Sequence, residues 1–420
     1  MDENNLLDRF LRYVKIDTRS VEDGEKHPSS SGQTRLIDLL RYELMCFLVP
    51  EEQLTRLDDG SLLVELPATP GHEGAPLVRL AAHVDTSPEV SGVVKPMVHR
   101  YQGGDIVLPL DDTIIPAKKL IGLEDKEIIT SSGDSLLGAD DKAGVAALME
   151  IIRFFLESGS PHGPLIALFF VDEEIDGAGF VKHLPPEKFG QGGVFLTLDG
   201  GRAGLVDHGC FFGAKKTVVV FKGHNTHPGV GGLEMRSAIA AAADFVNLVT
   251  RAMSQPWTTS GDQGFAHVTN MSGGAGQAEV SLILRSFNRD ELAYYQAQVE
   301  NIARLVAVRL GVEVSVSPLD FDYVTTEVAI ARHPKHLEVI KAGLAAHGLD
   351  MRLELVRGGT DGAMLNKDSL YQDIPAPNLG LGGGLFHEKG EFLVFDELVA
   401  TILAIEEMIS IYADMKADEF

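Results

Sequence analysis

The chain has 420 residues, which at roughly 100 to 200 residues per domain predicts two or three domains. A hydrophobic content of 45% supplies real cores and excludes disordered and fibrous classes. Acidic side chains outnumber basic ones by 61 to 36, and a net charge of −25 with no basic patch speaks against nucleic acid as a partner. The longest apolar stretches, such as Pro164 to Val171, fall far short of the roughly 20 residues that span a bilayer. The opening residues Met1-Asp2-Glu3-Asn4-Asn5 are acidic and polar, so neither a membrane span nor a standard export signal is expected. Two cysteines, Cys46 and Cys210, cannot build a disulfide framework or a thiolate zinc cage, which fits a cytoplasmic protein. Fourteen histidines and many carboxylates remain as candidate ligands.

In chain order, helical patterns at Asn5 to Ile16 and Gly32 to Phe47 are followed by an apolar run at Leu77 to Ala82. A helix at Gly144 to Leu156 comes next, with further apolar runs at Leu165 to Val171 and Val194 to Leu198. This alternation predicts an α/β domain with a largely parallel sheet covered by helices. The run Leu165 to Val171 is apolar at every position, as expected of a central strand buried on both faces. From about Phe212 the pattern becomes strand (Lys216 to Lys222), helix (Arg236 to Met253), two strands (Phe265 to Met271 and Ala278 to Phe287), helix (Arg289 to Leu310) and strand (Val312 to Ser317). That is a βαββαβ, ferredoxin-like α+β unit. After about Thr325 the α/β pattern returns, with a helix near Pro334 to His347, a strand near Asn378 to Leu381 and a closing helix from Asp396 to Met415. The expected organisation is one catalytic domain, residues 1–211 and 325–420, interrupted by an inserted lid or dimerisation domain, residues 212–324.

No Walker loop is present, and Gly380-Leu381-Gly382-Gly383-Gly384 matches the dinucleotide fingerprint in neither spacing nor position. There is no G-x-S-x-G elbow, and neither cysteine carries a catalytic signature. What stands out is a set of ionisable residues just past the carboxyl ends of apolar runs. His83 and Asp85 follow Leu77 to Ala82; Asp172, Glu173 and Glu174 follow Leu165 to Val171; Asp199 follows Val194 to Leu198; and His387 lies beyond the Asn378 strand. In open α/β sheets such ends converge on one crevice. Asp140 and Asp141 sit at a loop-to-helix junction, where a plain N-cap is the simpler reading. Two histidines and several carboxylates suit zinc, cobalt or manganese. Adjacent Glu173 and Glu174 point in opposite directions if extended, so that one can ligate while the other holds a water; the alternative is a solvated acidic turn.

The stretches HVDTSP (His83 to Pro88), YQGGDI (Tyr101 to Ile106), LLGADDKAG (Leu136 to Gly144), VDEEIDGAG (Val171 to Gly179), THPG (Thr226 to Gly229) and RGGTDGA (Arg357 to Ala363) carry a resemblance. The chain resembles the peptidase T, or tripeptide aminopeptidase, branch of the dinuclear-zinc peptidase family that includes carboxypeptidase G and the aminoacylases. The resemblance runs from Phe10-Leu11-Arg12-Tyr13-Val14 to the last helix. It implies two zinc ions per subunit, replaceable by cobalt or manganese. One would be held by His83, Asp140 and Asp199, the other by Asp140, Glu174 and His387. It further implies that Asp85 orients His83, that Glu173 is the general base, and that the Asp140-Asp141 peptide bond is cis.

By the same resemblance His227 stabilises the oxyanion, although a histidine in a Pro-Gly turn is by itself an ordinary turn residue. Arg285 and Arg357 resemble substrate-holding arginines, a surface ion pair being the alternative for each. The implied activity is release of the N-terminal residue from short peptides, preferentially tripeptides, with a homodimer formed through the inserted domain. A dipeptidase or N-acyl amino acid deacylase shares the same chemistry, and a non-catalytic peptide-binding protein is the competitor from another class.

Overall fold

The computed structural model describes residues 2–22, 26–90, 92–176, 179–214, 216–227, 229–318 and 320–419. Gly177, Ala178 and Pro228, each part of a motif quoted above, lie outside the described residues. The chain forms two compact units. The first comprises Met1–His208, Thr326–Glu354 and Thr360–Phe420, the second Gly209–Thr325 and Leu355–Gly359. Among the described residues no helix is long and apolar enough to cross a membrane.

The first unit is built on an eight-stranded sheet in the order Leu54–Arg56, Leu62–Leu66, Leu165–Phe170, Val78–His83, Val194–Gly200, Asn378–Gly380, Leu205–Cys210 and Arg352–Val356. Its four central strands run parallel. The pairs of Leu165–Phe170 with Leu62–Leu66 and of Asn378–Gly380 with Leu205–Cys210 are antiparallel, so the sheet is mixed around a parallel centre. The period-2 alternation of strand side chains sorts the apolar residues onto two faces. Leu80, Ala82, Ala167, Phe169, Leu196 and Leu198 enter one core with helices Glu3–Tyr13, Ser31–Cys46, Ala139–Ser158, Lys335–Ala346 and Phe395–Ala413. Ala81, Leu168, Phe170 and Phe195 enter a second core on the other face with Phe180, Phe189 and Tyr371. Burial on both faces explains why these strands read as continuous apolar runs.

A second, four-stranded antiparallel sheet in this unit was not foreseen. Its order is Gly383–Gly384, Phe392–Val394, Glu127–Thr130 and Met97–Arg100. Its importance is positional: His387 sits in the loop between its first two strands, and Glu127–Thr130 leads toward Asp140.

The second unit contains strands Thr217–Lys222, Phe265–Gly273, Gln277–Ser286 and Glu313–Val316 with helices Ala238–Ala252 and Arg289–Leu310 in βαββαβ order. Spatially Glu313–Val316 pairs with Thr217–Lys222, which pairs with Gln277–Ser286, which pairs with Phe265–Gly273, all antiparallel. This is the ferredoxin-like arrangement. Ser237 and Asn288 cap the two helices through their side-chain oxygens. Ala238, Ala241, Ala242, Phe245 and Val249 form the buried stripe of the first helix.

One buried titratable group yields a test of the packing. His336 is buried in helix Lys335–Ala346, its Nδ1 2.9 Å from the Tyr412 hydroxyl of the closing helix. Burial, and then neighbouring His333, hold it down at about 3. Because the unfolded chain binds this proton near pH 6.5 and the folded chain does not, the stability the neutral ring supplies is present above that pH and lost as pH falls toward 3. The slope is at most about 1.4 kcal/mol per pH unit. His336→Gln keeps a hydrogen-bonding group but does not titrate, so its urea midpoints at pH 7, 5.5 and 4.5 should fall less than those of the parent. Parallel losses in the two proteins would show that the ring is not held neutral.

Candidate metal centre

Val78–His83 lies between its two parallel neighbours, which fixes His83 at the carboxyl end of the sheet with 1% of its side chain exposed. Its Nε2 faces Asp140 Oδ1 at 2.9 Å and Asp199 Oδ1 at 3.7 Å, while Nδ1 lies 3.2 Å from Asp85 Oδ1. On the far side of Asp140, Oδ2 is 3.3 Å from His387 Nε2, which is 3.0 Å from Glu174 Oε1. Asp140 therefore stands between the two imidazoles, one oxygen toward each. The Asp140-Asp141 peptide bond is cis, as the resemblance implied.

Asp85 organises the other side of the crevice. It accepts the Ser20 hydroxyl and the backbone N–H groups of Glu173 and Glu174, the latter two at 3.1 Å each. The same carboxylate that flanks His83 thus holds the start of the short helix Glu173–Asp176. Asp172, at the left-handed φ of 58°, accepts Ser29 N–H at 2.8 Å and the Gln33 amide at 2.6 Å, which anchors the chain before the two glutamates. Asp199 is set by Asn378, whose Oδ1 accepts Asp199 N–H at 3.0 Å and the Thr197 hydroxyl at 2.9 Å.

The adjacent aspartates divide their work. Ligand atoms of His83, Asp141 and Asp199 lie within 4.8 Å of one another, as do those of Asp140, Glu174 and His387. Proximity alone would thus put Asp141 with His83. Its two oxygens are already engaged, however: Oδ2 accepts His83 N–H at 3.1 Å and Oδ1 accepts Gly144 N–H at 3.0 Å. The bond to Gly144, three residues on, is the N-cap expected at this junction, and it belongs to Asp141. Asp140 is left facing the histidines. Gly144 is required here, because a Cβ would come within 2.3 Å of Leu198 O and 2.4 Å of Asp141 Oδ1.

The electrostatics follow from burial of like charges. Burial opposes charge on His83, but its contacts with Asp140, Asp199 and Asp85 outweigh this and push its pKa well above the usual imidazole value. His387 is pushed up to about 11 by Asp140 and Glu174. Glu173 is pushed well above the carboxylate range by burial first, then by the charges of Asp361, Asp199 and Glu174. Burial, then Asp140, does the same for Asp199. Among the described residues the buried Glu174 Oε1 and His83 Nδ1 have no well-angled hydrogen bond despite their close neighbours. Acceptor-only carboxylates converging on two imidazoles, with orphaned polar atoms among them, fit cations at the centre of each group.

Two contributors escaped the sequence reading. Glu391, buried in the hairpin that carries His387, accepts Leu137 N–H at 2.9 Å and Gly138 N–H at 2.8 Å through Oε2, and Asp140 N–H at 3.0 Å through Oε1. It ties the loop of one histidine to the loop of the aspartate both histidines face. Asp361, in the RGGTDGA stretch, is 3% exposed, and burial pushes it up to about 7.

The remaining sequence candidates lie in the second unit. His227 is exposed, and its Nδ1 accepts Gly229 N–H at 3.2 Å within the turn. Arg285 lies 5.5 Å from the Tyr323 ring centroid. Arg357 lies 5.6 Å from the Phe211 and Phe265 rings and donates to the Thr259 hydroxyl at 2.6 Å.

A parallel-centred sheet with paired imidazoles and carboxylates at its carboxyl end defines the class, an α/β metallohydrolase. The family model for peptidase family M20/M25/M40 matches residues 137–410. Peptidase T of Citrobacter koseri is 32% identical over 96% of this chain and 98% of its own length. Peptidase T of Edwardsiella ictaluri is 33% identical with the same coverage. Aminopeptidase PepT of Bacillus cereus superposes with a TM-score of 0.75 at 22% identity, covering 99% of this chain and all of that one. A Staphylococcus aureus tripeptidase superposes at 0.76 and 21% identity, again over 99% and 100%; both share the fold. The chain belongs to peptidase family M20/M25/M40, among its peptidase T members.

Removing the Glu391 carboxylate should loosen the Asp140 loop. Glu391→Gln places an amide N–H against backbone N–H groups and should weaken divalent-cation affinity about 10 to 100-fold. Chelator competition reads this directly, and an unchanged affinity would deny Glu391 its positioning role.

Proposed function

We propose that this protein is a cytoplasmic dinuclear-zinc aminopeptidase that releases the N-terminal residue of short peptides, preferentially tripeptides. The carrying observation is Asp140 between His83 and His387, one oxygen toward each ring. His83, Asp140 and Asp199 would hold one zinc and Asp140, Glu174 and His387 the other, with cobalt or manganese as substitutes. When bound, such a pair supplies the positive charge that polarises a peptide carbonyl and acidifies water.

The chain's own groups do the rest. Asp85 stands beside the His83 ring, its Oδ1 3.2 Å from Nδ1, where it would orient the imidazole, and it fixes the backbone of both glutamates. Glu173 takes a proton from the attacking water onto a carboxylate oxygen and returns it to the nitrogen of the leaving amine. His227 serves the oxyanion, and Arg285 and Arg357 the substrate carboxylate. These roles rest on the resemblance, as does a homodimer formed through the second unit.

Glu173→Gln should keep two equivalents of zinc while kcat falls about 10² to 10⁴-fold, and Asp140→Ala should lose both equivalents. Elemental analysis beside steady-state kinetics tests the pair of expectations; full occupancy in Asp140→Ala would remove the shared ligand. Substrate class is tested by hydrolysis of a free tripeptide, its N-acetylated form and an N-acyl amino acid. Cleavage confined to the acylated compounds would replace the aminopeptidase reading with that of a deacylase.

A further inference from the structure

An aminopeptidase must recognise a free α-ammonium, and none of the residues assigned so far does so. The ammonium nitrogen is bonded to the carbon next to the attacked carbonyl, so its partner must be an anion close to the general base. The carboxylates of Asp85 and Asp141 are engaged by backbone N–H groups, and those of Asp140, Glu174 and Asp199 face the two histidines. Among the described residues Asp361 is set apart by an unsatisfied oxygen. It is 3% exposed, and among the described residues its buried Oδ1 has no hydrogen-bond partner.

Its placement is rigid. The Thr360 side chain, not Asp361, caps helix Asp361–Lys367 by accepting Ala363 N–H at 3.2 Å. Gly362 packs so closely on Ala376 that a Cβ would lie 2.4 Å from its carbonyl oxygen. Leu365 of the same helix packs in one core with Phe170 and Phe195, on the strands that lead to Glu173 and carry Asp199, which holds the start of this helix at that end of the sheet. A buried carboxylate oxygen without a donor is costly unless a cation meets it. Two divalent cations would satisfy the groups around the histidines and leave Asp361 free for a third positive charge.

We infer that Asp361 is the specificity-determining residue that receives the α-ammonium of the substrate's first residue. This rests on the aminopeptidase reading above and supplies its missing recognition element. A charge-assisted hydrogen bond in a buried site is worth about 10 to 100-fold in binding.

The test uses the zinc-loaded enzyme at pH 7 with tri-alanine and its des-amino analogue, propionyl-Ala-Ala. The parent should prefer tri-alanine. Asp361→Asn and Asp361→Ser should lose about 10 to 100-fold in kcat/KM on tri-alanine, mainly through KM. Any loss on the analogue should be smaller by that factor, and both metals should be retained. Equal losses on the two substrates, or a preference that survives both substitutions, would overturn the assignment. Calorimetric titration of the Glu173→Gln protein with the same peptides keeps Asp361 intact and needs no turnover. Tighter binding of tri-alanine is expected there, and equal affinities would again overturn it. A parent enzyme that cleaves propionyl-Ala-Ala but not tri-alanine would sink the aminopeptidase reading itself, a result distinct from failure of Asp361 alone.

Discussion

Acceptor-only groups crowd the carboxyl end of the central sheet, and few side-chain donors meet them. The fold resolves this by sorting its acids into two populations. Asp85, Asp141, Asp172 and Glu391 are bound by backbone N–H groups, which stabilise a buried carboxylate without adding a competing charge. These four define the shape of the crevice. Asp140, Glu174 and Asp199, with His83 and His387, are left to face one another. The chemistry of the site belongs to this second population, and its geometry to the first.

Parallel pairing makes the arrangement possible. Because His83 pairs with Phe170, the chain leaves both strands at the same level, and Val84 N–H still reaches Phe170 O at 2.9 Å. The next residues, Asp85 on one strand and Glu173 and Glu174 on the other, therefore meet through backbone hydrogen bonds. On the opposite side, the absence of a side chain at Gly144 lets helix Ala139–Ser158 touch the strand that carries Asp199. The spacing of these groups is a consequence of strand register and helix contact.

The residues at strand ends were legible in the sequence for the same reason. Apolar runs locate the buried strands, and His83, Glu173, Glu174 and Asp199 follow them directly. Asp140 and Asp141 could not be separated by pattern, since an N-cap and a cation ligand call for the same residue type; only the hydrogen bonds of Asp141 distinguish them. The four-stranded sheet was illegible because its strands have two to four residues, too short for alternation to register. Glu391 was lost with it: in Glu388-Lys389-Gly390-Glu391 it resembles any surface glutamate, and its role depends on backbone N–H groups more than 250 positions away in sequence. Asp361 lies in the RGGTDGA stretch, yet nothing local showed that its carboxylate would be buried with one oxygen unbonded among the described residues.

The two histidines are held by different means. His83 is a sheet residue, paired with Phe170 at the end of a strand that has parallel neighbours on both sides, and almost wholly buried. His387 is a loop residue with 41% of its side chain exposed, and both it and Leu385 adopt left-handed backbone, with φ of 61° and 56°. Non-glycine residues keep that conformation only where the surroundings dictate it, and for leucine the preference against it is strong. Here the flanking strands Gly383–Gly384 and Phe392–Val394 pair with each other, and Glu391 fastens the returning arm to the Asp140 loop. Register on one side and a buried carboxylate on the other leave the hairpin little choice of path. The more exposed histidine thereby acquires the fixed position that the sheet gives to the buried one.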